Sequence, residues 1–302
     1  MKPATLPPDE HLYEGSMDIH RRIVALYPKV AERNAFFRDL HLVSPRIPRP
    51  RIGGPWGVDT DRVFCALAIR AAATKESIVL LCEAGHGEGA VALARVLLEN
   101  AVLMAWQRLD PGRERLETYI LFTSALHERG VETLEHFRSE FPHLFDEDEE
   151  PTQSDPSHRA VTEAVFHDRD DTWAWFPDPD KPGKLKKITV AQMFRDVMEK
   201  TDPNARTIEY DVMYHLGSQV IHTAPFSLRG LLARVRASKT FFLEPLHSTD
   251  SRLMALAISN VAMIVVLKTA DDYIGLDLEA DLEEIVEASR AVGAITEQTT
   301  VP

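Results

Sequence analysis

Six polar side chains sit at spacings that suit acid–base and phosphate chemistry. In A-V-A-L-A-R-V-L-L-E, Arg95 and Glu99 lie four residues apart, and a helix stacks such a pair on one face. In Y-H-L-G-S-Q-V-I-H, Tyr214, Ser218 and His222 recur every four residues, with His215 and Gln219 beside them, so a helix gathers all five on one flank. An imidazole titrates near neutrality and can take or give a proton. A neighbouring carboxylate fixes its tautomer, and a guanidinium neutralises charge that builds on a phosphate. Arg95, Glu99 and His222 are therefore the candidate catalytic groups for a metal-independent phosphodiester cleavage, with Tyr214, Ser218 and His215 as ligand-binding donors and acceptors.

The segment around Arg95 and Glu99 must place them inside the fold. Val91, Leu93, Ala94, Val96, Leu97, Leu98, Ala101, Val102, Leu103, Met104 and Ala105 occupy nearly every other direction of that helix, and a helix apolar almost all round is a central one. Charges on a central helix need partners, because an isolated buried ion costs several kcal/mol. Arg95 and Glu99 either pair with each other, worth about 0.3–0.5 kcal/mol on an exposed face, or line an internal polar cleft. The later helix has two faces: Met213, Leu216, Gly217, Val220 and Ile221 pack, while Tyr214, His215, Ser218, Gln219 and His222 form a stripe lacking the Lys and Glu of an ordinary solvated face. The alternative for His222 is a histidine bonded near a helix C-terminus ahead of Pro225, and for the whole set a hydrogen-bond network that fixes helix registry in a non-enzymatic interaction protein.

These two segments resemble the signature segments of a bacterial family, the domain-of-unknown-function 5677 family. That family pairs R-x-x-x-E on one helix with Y-x-x-x-S-x-x-x-H on a later one, positions filled here by Arg95, Glu99, Tyr214, Ser218 and His222. The resemblance runs from about Asp59 to Gly275 and leaves out the acidic, Pro-rich stretch between. It implies a helical protein and names no reaction. A looser likeness is to the HEPN helical bundles, many of them metal-independent ribonucleases that use an Arg and a His. The literal spacing of that pair occurs only at Arg138-S-E-F-P-His143, where Pro142 would break the helix. The likeness therefore points instead to Arg95 and His222, brought together from different helices.

Further along the chain, Ser16 to Leu40 has helical spacing (Ile19, Ile23, Leu26, Val30) with a kink expected at Pro28. A Pro-rich connector with Gly53-Gly54 follows, so residues 1–58 read as an N-terminal helical extension and connector, and 59–302 as one helical domain. Helices are expected from Asp59, over Gly85 to Trp106 and Pro111 to Phe137, from Val190 to Lys200 behind the capping-box pattern Thr189 to Gln192, from Asp202-Pro203 to His222, from about Thr249 to Asp272, and over Asp277 to Ala291. Leu228 to Leu243 fits neither helix nor strand clearly. The acidic run Asp146 to Glu150 and six prolines from Pro142 to Pro182 mark an insertion at about 145–187, where Trp173, Trp175 and Phe176 and then Lys186 to Val190 suit a short hairpin. Seven or eight helices and one hairpin imply an all-α bundle.

The 302 residues carry 34 Lys and Arg against 47 Asp and Glu, a formal charge of −13. Such a chain repels polyphosphate at long range, so nucleic acid would need a local basic patch. Lys181, Lys184, Lys186 and Lys187 form the one basic run, which most simply is a solvated turn. Cys65 and Cys82, with no CxxC pair, speak against a disulfide framework or structural zinc. The N-terminus lacks an apolar signal core, and the longest apolar run, Leu253 to Leu267, is interrupted by Ser259 and Asn260 and is short for a membrane span. A cytoplasmic protein with no membrane association is expected.

Gly85-His86-Gly87-Glu88-Gly89 after S-I-V-L-L-C-E-A mimics a dinucleotide turn. Its spacing is G-x-G-x-G, however, and a helix follows with no second strand, so it reads as a helix–helix junction with His86 and Glu88 solvated. A metal site from Glu99, His222 and His86 ranks below the others, since Arg95 would repel a cation. GxSxG, HExxH and Walker-type GK[ST] motifs are absent. The expected partner is RNA or another phosphate-bearing ligand, with homo-oligomerisation left open and no cofactor implied.

Overall fold

The computed structural model describes residues 8–33, 60–110, 115–116, 119, 130–131, 133–141, 175–177, 185–201 and 249–291. Its helices are α1 (Pro8–Val24), α2 (Thr60–Glu83), α3 (Gly87–Arg108), α4 (Val190–Thr201), α5 (Thr249–Ile274) and α6 (Glu279–Ala291), and its one hairpin is β1 (Trp175–Pro177) with β2 (Leu185–Lys187). The all-α class follows. The expected hairpin forms antiparallel, with Trp175 opposite Lys187 and Pro177 opposite Leu185, but its second strand is Leu185–Lys187 rather than 186–190, since Val190 already opens α4.

Two compact units are present. Residues 46–60 and 110–189 make one, holding the hairpin and helical residues 133–140, which run past Phe137 to stop ahead of Pro142. The other comprises 1–45, 61–109 and 190–302 and holds the helices that position the candidate sites.

Within this second unit α5 packs along α3 and α1, α4 packs on α3, and α6 touches α1 and α5. The choice of buried faces follows the sequence spacing. On α2, Phe64, Ala68, Ala71, Lys75, Ile78 and Cys82 recur at three- and four-residue steps and are all buried. α2 and α5 run antiparallel, because the Phe64 ring stacks on Tyr273 at 3.9 Å at one end and the Cys82 thiol donates to the Arg252 carbonyl at 3.7 Å at the other. α5 is apolar on all sides and supplies much of the core, from Ala255 and Leu256 through Met263 to Ala270. Each Leu, Ile, Val or Met side chain among them removed from water contributes about 1.5–3 kcal/mol.

Two helix ends show how the elements are turned. α2 closes through a Schellman motif: Gly85 takes a φ of 83°, open to a residue without a Cβ, His86 N–H donates to the Leu81 carbonyl at 2.7 Å and Gly85 N–H to that of Cys82 at 3.1 Å. The glycines after α2 therefore end one helix and start the next, as a helix–helix junction. At the end of α5, Gly275 has a φ of 64° and the Asp271 carboxylate accepts from Leu276 N–H at 2.7 Å and Leu278 N–H at 3.1 Å. That clamp redirects the chain into α6.

The N-terminal helix differs from expectation. It begins at Pro8 and ends at Val24, and helical residues 27–33 follow a two-residue break. Pro28 cannot donate to the carbonyl four residues earlier and its ring clashes there, so the helix stops at Val24 and restarts with the proline in its first turn. Gly87–Arg108 and residues 251–274 are long and apolar enough to cross a membrane, with 56% and 72% of their apolar windows buried inside the fold, as in core helices. The helix that holds the 253–267 run is thus longer than the run itself, so length alone does not exclude a span.

Candidate functional site

α3 is as central as its composition requires, with Ala90, Val91, Ala94, Leu97, Leu98, Ala101 and Met104 buried. Arg95 and Glu99 are its charged pair. The guanidinium NH2 of Arg95 lies 2.8 Å from Glu99 Oε1, with the two side chains 11% and 30% exposed. The helical step of four brings them together, and partial burial both strengthens their attraction and costs them hydration. They do pair with each other, one of the two options read from sequence. Tyr214, His215, Ser218 and His222 lie outside the described residues. His86 and Glu88 are exposed, and His86 makes no side-chain cap bond at the start of α3. Among the described residues no group of three His, Cys, Asp or Glu is placed to hold a metal ion.

A second polar cluster, not anticipated from sequence, lies where α1, α2 and α5 meet. Lys75 continues the buried stripe of α2 and is 0% exposed. Its Nζ donates to Ser259 Oγ and Asn260 Oδ1, both at 2.7 Å. Asn260 Nδ2 donates onward to the Ser16 carbonyl of α1 at 3.0 Å, and Ser259 Oγ donates to the Leu256 carbonyl at 3.1 Å. His20, also on α1, is 7% exposed. Its Nε2 lies 3.9 Å from Glu76 Oε1, and its Nδ1 is buried without a hydrogen-bond partner.

Burial sets the protonation of this cluster. It brings the Lys75 amine down to about 7, against the partial support of Cys82 and Glu76. Burial, then the charges of Lys75 and Arg21, hold the His20 imidazole down at about 4. Burial pushes the Cys82 thiol up to about 11 although Lys75 and Arg252 oppose it, and raises the Tyr27 phenol, helped by Glu76. The sequence signals for this cluster were a lysine at a position of the apolar stripe and the Ser259-Asn260 interruption of the longest apolar run. Other inter-helix ties among the described residues include Trp106 Nε1 donating to Asp196 Oδ2 at 2.8 Å, joining α3 to α4, an ion pair between Arg108 and Asp272 joining α3 to α5, an ion pair at 2.7 Å between Arg22 and Glu284 joining α1 to α6, and the Arg252 guanidinium over the Tyr13 ring at 4.4 Å joining α5 to α1.

A family model described as "Family of unknown function (DUF5677)" matches residues 61–238. No curated protein and no solved structure matches the chain. The matched stretch contains both candidate segments, 95–99 and 214–222, together with Lys75, while His20, Ser259 and Asn260 fall outside it.

Proposed function

The chain belongs to the DUF5677 family, a family of unknown function, and from that membership we propose that it is a HEPN-like helical protein that binds RNA or another phosphate-bearing ligand and cleaves phosphodiester bonds without a metal. The observation that carries this is the Arg95–Glu99 pair, a guanidinium held by a carboxylate at 2.8 Å on an otherwise apolar helix. In this scheme Arg95 neutralises the charge that builds on the phosphate, Glu99 orients His222 through the oxygen that Arg95 does not take, and His222 carries the proton from attacking to leaving oxygen. Tyr214, Ser218 and His215 bind the ligand. The resemblance of both segments to one family pattern, and their inclusion in one family match, support treating them as a single site. The cytoplasm is the compartment in which such a ribonuclease would work.

The test is the purified chain in EDTA with mixed RNA, beside His222→Ala and Arg95→Met. Cleavage by the unmodified chain that both variants lose supports the proposal, and equal inertness of all three removes the nuclease. Binding is read separately, by anisotropy of a labelled RNA at two salt concentrations.

A second reading has its own observation: Arg95 and Glu99 pair with each other within one helix, as a structural ion pair does. On that reading the chain is a non-enzymatic interaction protein. Thermal melting separates the two. A structural network loses several degrees in Tm on Arg95→Met or His222→Ala with RNA binding unchanged, whereas a functional site loses binding or activity while stability holds or rises.

A further inference from the structure

Among the described residues no other Lys, Arg, Asp or Glu is buried as Lys75 is. A buried ammonium needs three acceptors and a counter-charge. Lys75 has two acceptors, Ser259 Oγ and Asn260 Oδ1, which is the number that a neutral amine, with two hydrogens, can use. No carboxylate bonds it. α5 carries no charged side chain between Arg252 and Lys268. On α2 the groups acting on it are Cys82 and the exposed Glu76, and from α1 His20 faces it, with Arg21 acting on His20 in turn. Tyr27 faces Glu76, and Arg252 faces Cys82. The site is built for the uncharged form.

What seals it from water on one side is α1. Ser16 is fastened to Asn260, the same side chain that accepts from Lys75, and His20 packs beside it with an unpartnered Nδ1. A third hydrogen on Lys75 would find its acceptor in water, or in the Glu76 carboxylate, only if this stretch of α1 moved aside. We propose that α1 is a proton-operated latch, in which proton uptake by Lys75 releases the Ser16–His20 stretch from α2 and α5.

The sign follows from linkage. An amine exposed by opening keeps its proton up to about 10.5, whereas in the closed state it gives it up at about 7. Between those values the open state binds one more proton, so opening rises about tenfold for each unit that pH falls, then levels off below 7. His20 adds a second rise as pH falls from 6.5 towards 4. Cys82 acts only above about 9, so pH 7 to 9 isolates Lys75.

The experiment is hydrogen exchange on the full chain, corrected for intrinsic rates, comparing α1 amides with α5 amides. The opening of α1 is expected to fall about 50-fold from pH 7 to pH 9, to be flat in Lys75→Met, and to keep its full slope in His20→Phe. A flat profile in the unmodified chain, or an unchanged slope in Lys75→Met, overturns the latch. Should Lys75→Met fail to fold, carbon NMR of the unmodified chain with labelled lysine decides alone: one Cε signal titrating near 7 is expected, and all lysines titrating near 10 or above overturns it.

Discussion

Asn260 stands between Lys75 and Ser16, accepting from the amine through Oδ1 at 2.7 Å and donating to the α1 carbonyl through Nδ2 at 3.0 Å. One amide therefore ties α2 to α1 by way of α5. Replacing it with Leu keeps the volume but takes away one of the amine's two acceptors and leaves the Ser16 carbonyl with its bond inside α1 alone. A buried hydrogen bond lost costs about 0.5–1.5 kcal/mol, and a buried donor left short of an acceptor adds to that, so Asn260→Leu is expected to lower unfolding stability by roughly 1–3 kcal/mol, read from the urea midpoint.

The pH dependence of global stability has a definite sign. His20 is depressed, so its contribution is whole above about 6.5 and is lost as pH falls to about 4. Lys75 is depressed too, so its contribution is whole only above about 10.5 and is lost as pH falls to about 7. Cys82 is raised, so its contribution is whole below about 9 and is lost as pH climbs to about 11. In urea titrations at several pH values, Lys75→Met is expected to flatten the rise between pH 7 and 9, and Cys82→Ala to extend that rise to about 10.5, a range in which the two groups offset each other in the unmodified chain. A Lys75→Met profile parallel to that of the unmodified chain would contradict this.

Removing one charge of the α3 pair leaves the other mostly covered. Glu99→Gln is expected to cost about 1–3 kcal/mol, with Arg95→Met costing less because the carboxylate it leaves, at 30% exposure against 11% for the guanidinium, keeps more of its hydration. Chemical denaturation of the two variants side by side checks the order.

The Trp106–Asp196 bond is the polar tie between α3 and α4. Asp196→Ala removes the acceptor of the indole N–H and is expected to cost about 1–2 kcal/mol and to loosen α4. Exchange protection of the α4 amides, compared with that of α5, reads the local effect.

Phe64 is fully buried and stacks on Tyr273. Phe64→Ala should open a cavity and cost about 3–5 kcal/mol, seen as a lower urea midpoint with helical circular dichroism retained at 25 °C.

Much of the helical scaffold was legible without coordinates. The spans of α2, α3, α4, α5 and α6 follow from apolar spacing and from Gly, Pro and Asp signals that act within a few residues. Arg95 and Glu99 sit on one face because a helix repeats every 3.6 residues, and nothing remote is needed to pair them. The early start of α1 was missed because the segment ahead of Ser16 is polar, so its helicity left no apolar spacing to read. The Lys75 cluster shows the limit from the other side. An apolar stripe of α2 with a lysine in it, and an apolar α5 with Ser259-Asn260 in it, are both visible in the chain.

What the amino-acid order by itself determined is therefore which faces are buried and which side chains are out of keeping with them. What only the tertiary structure decided is that Lys75 meets Ser259, 184 residues away, and that the meeting supplies two neutral acceptors and no carboxylate. Periodicity is local information, carried by each helix alone. The register of one helix against another is set by the sum of many side-chain contacts across the core, and it is that register which decides whether a buried amine keeps its proton.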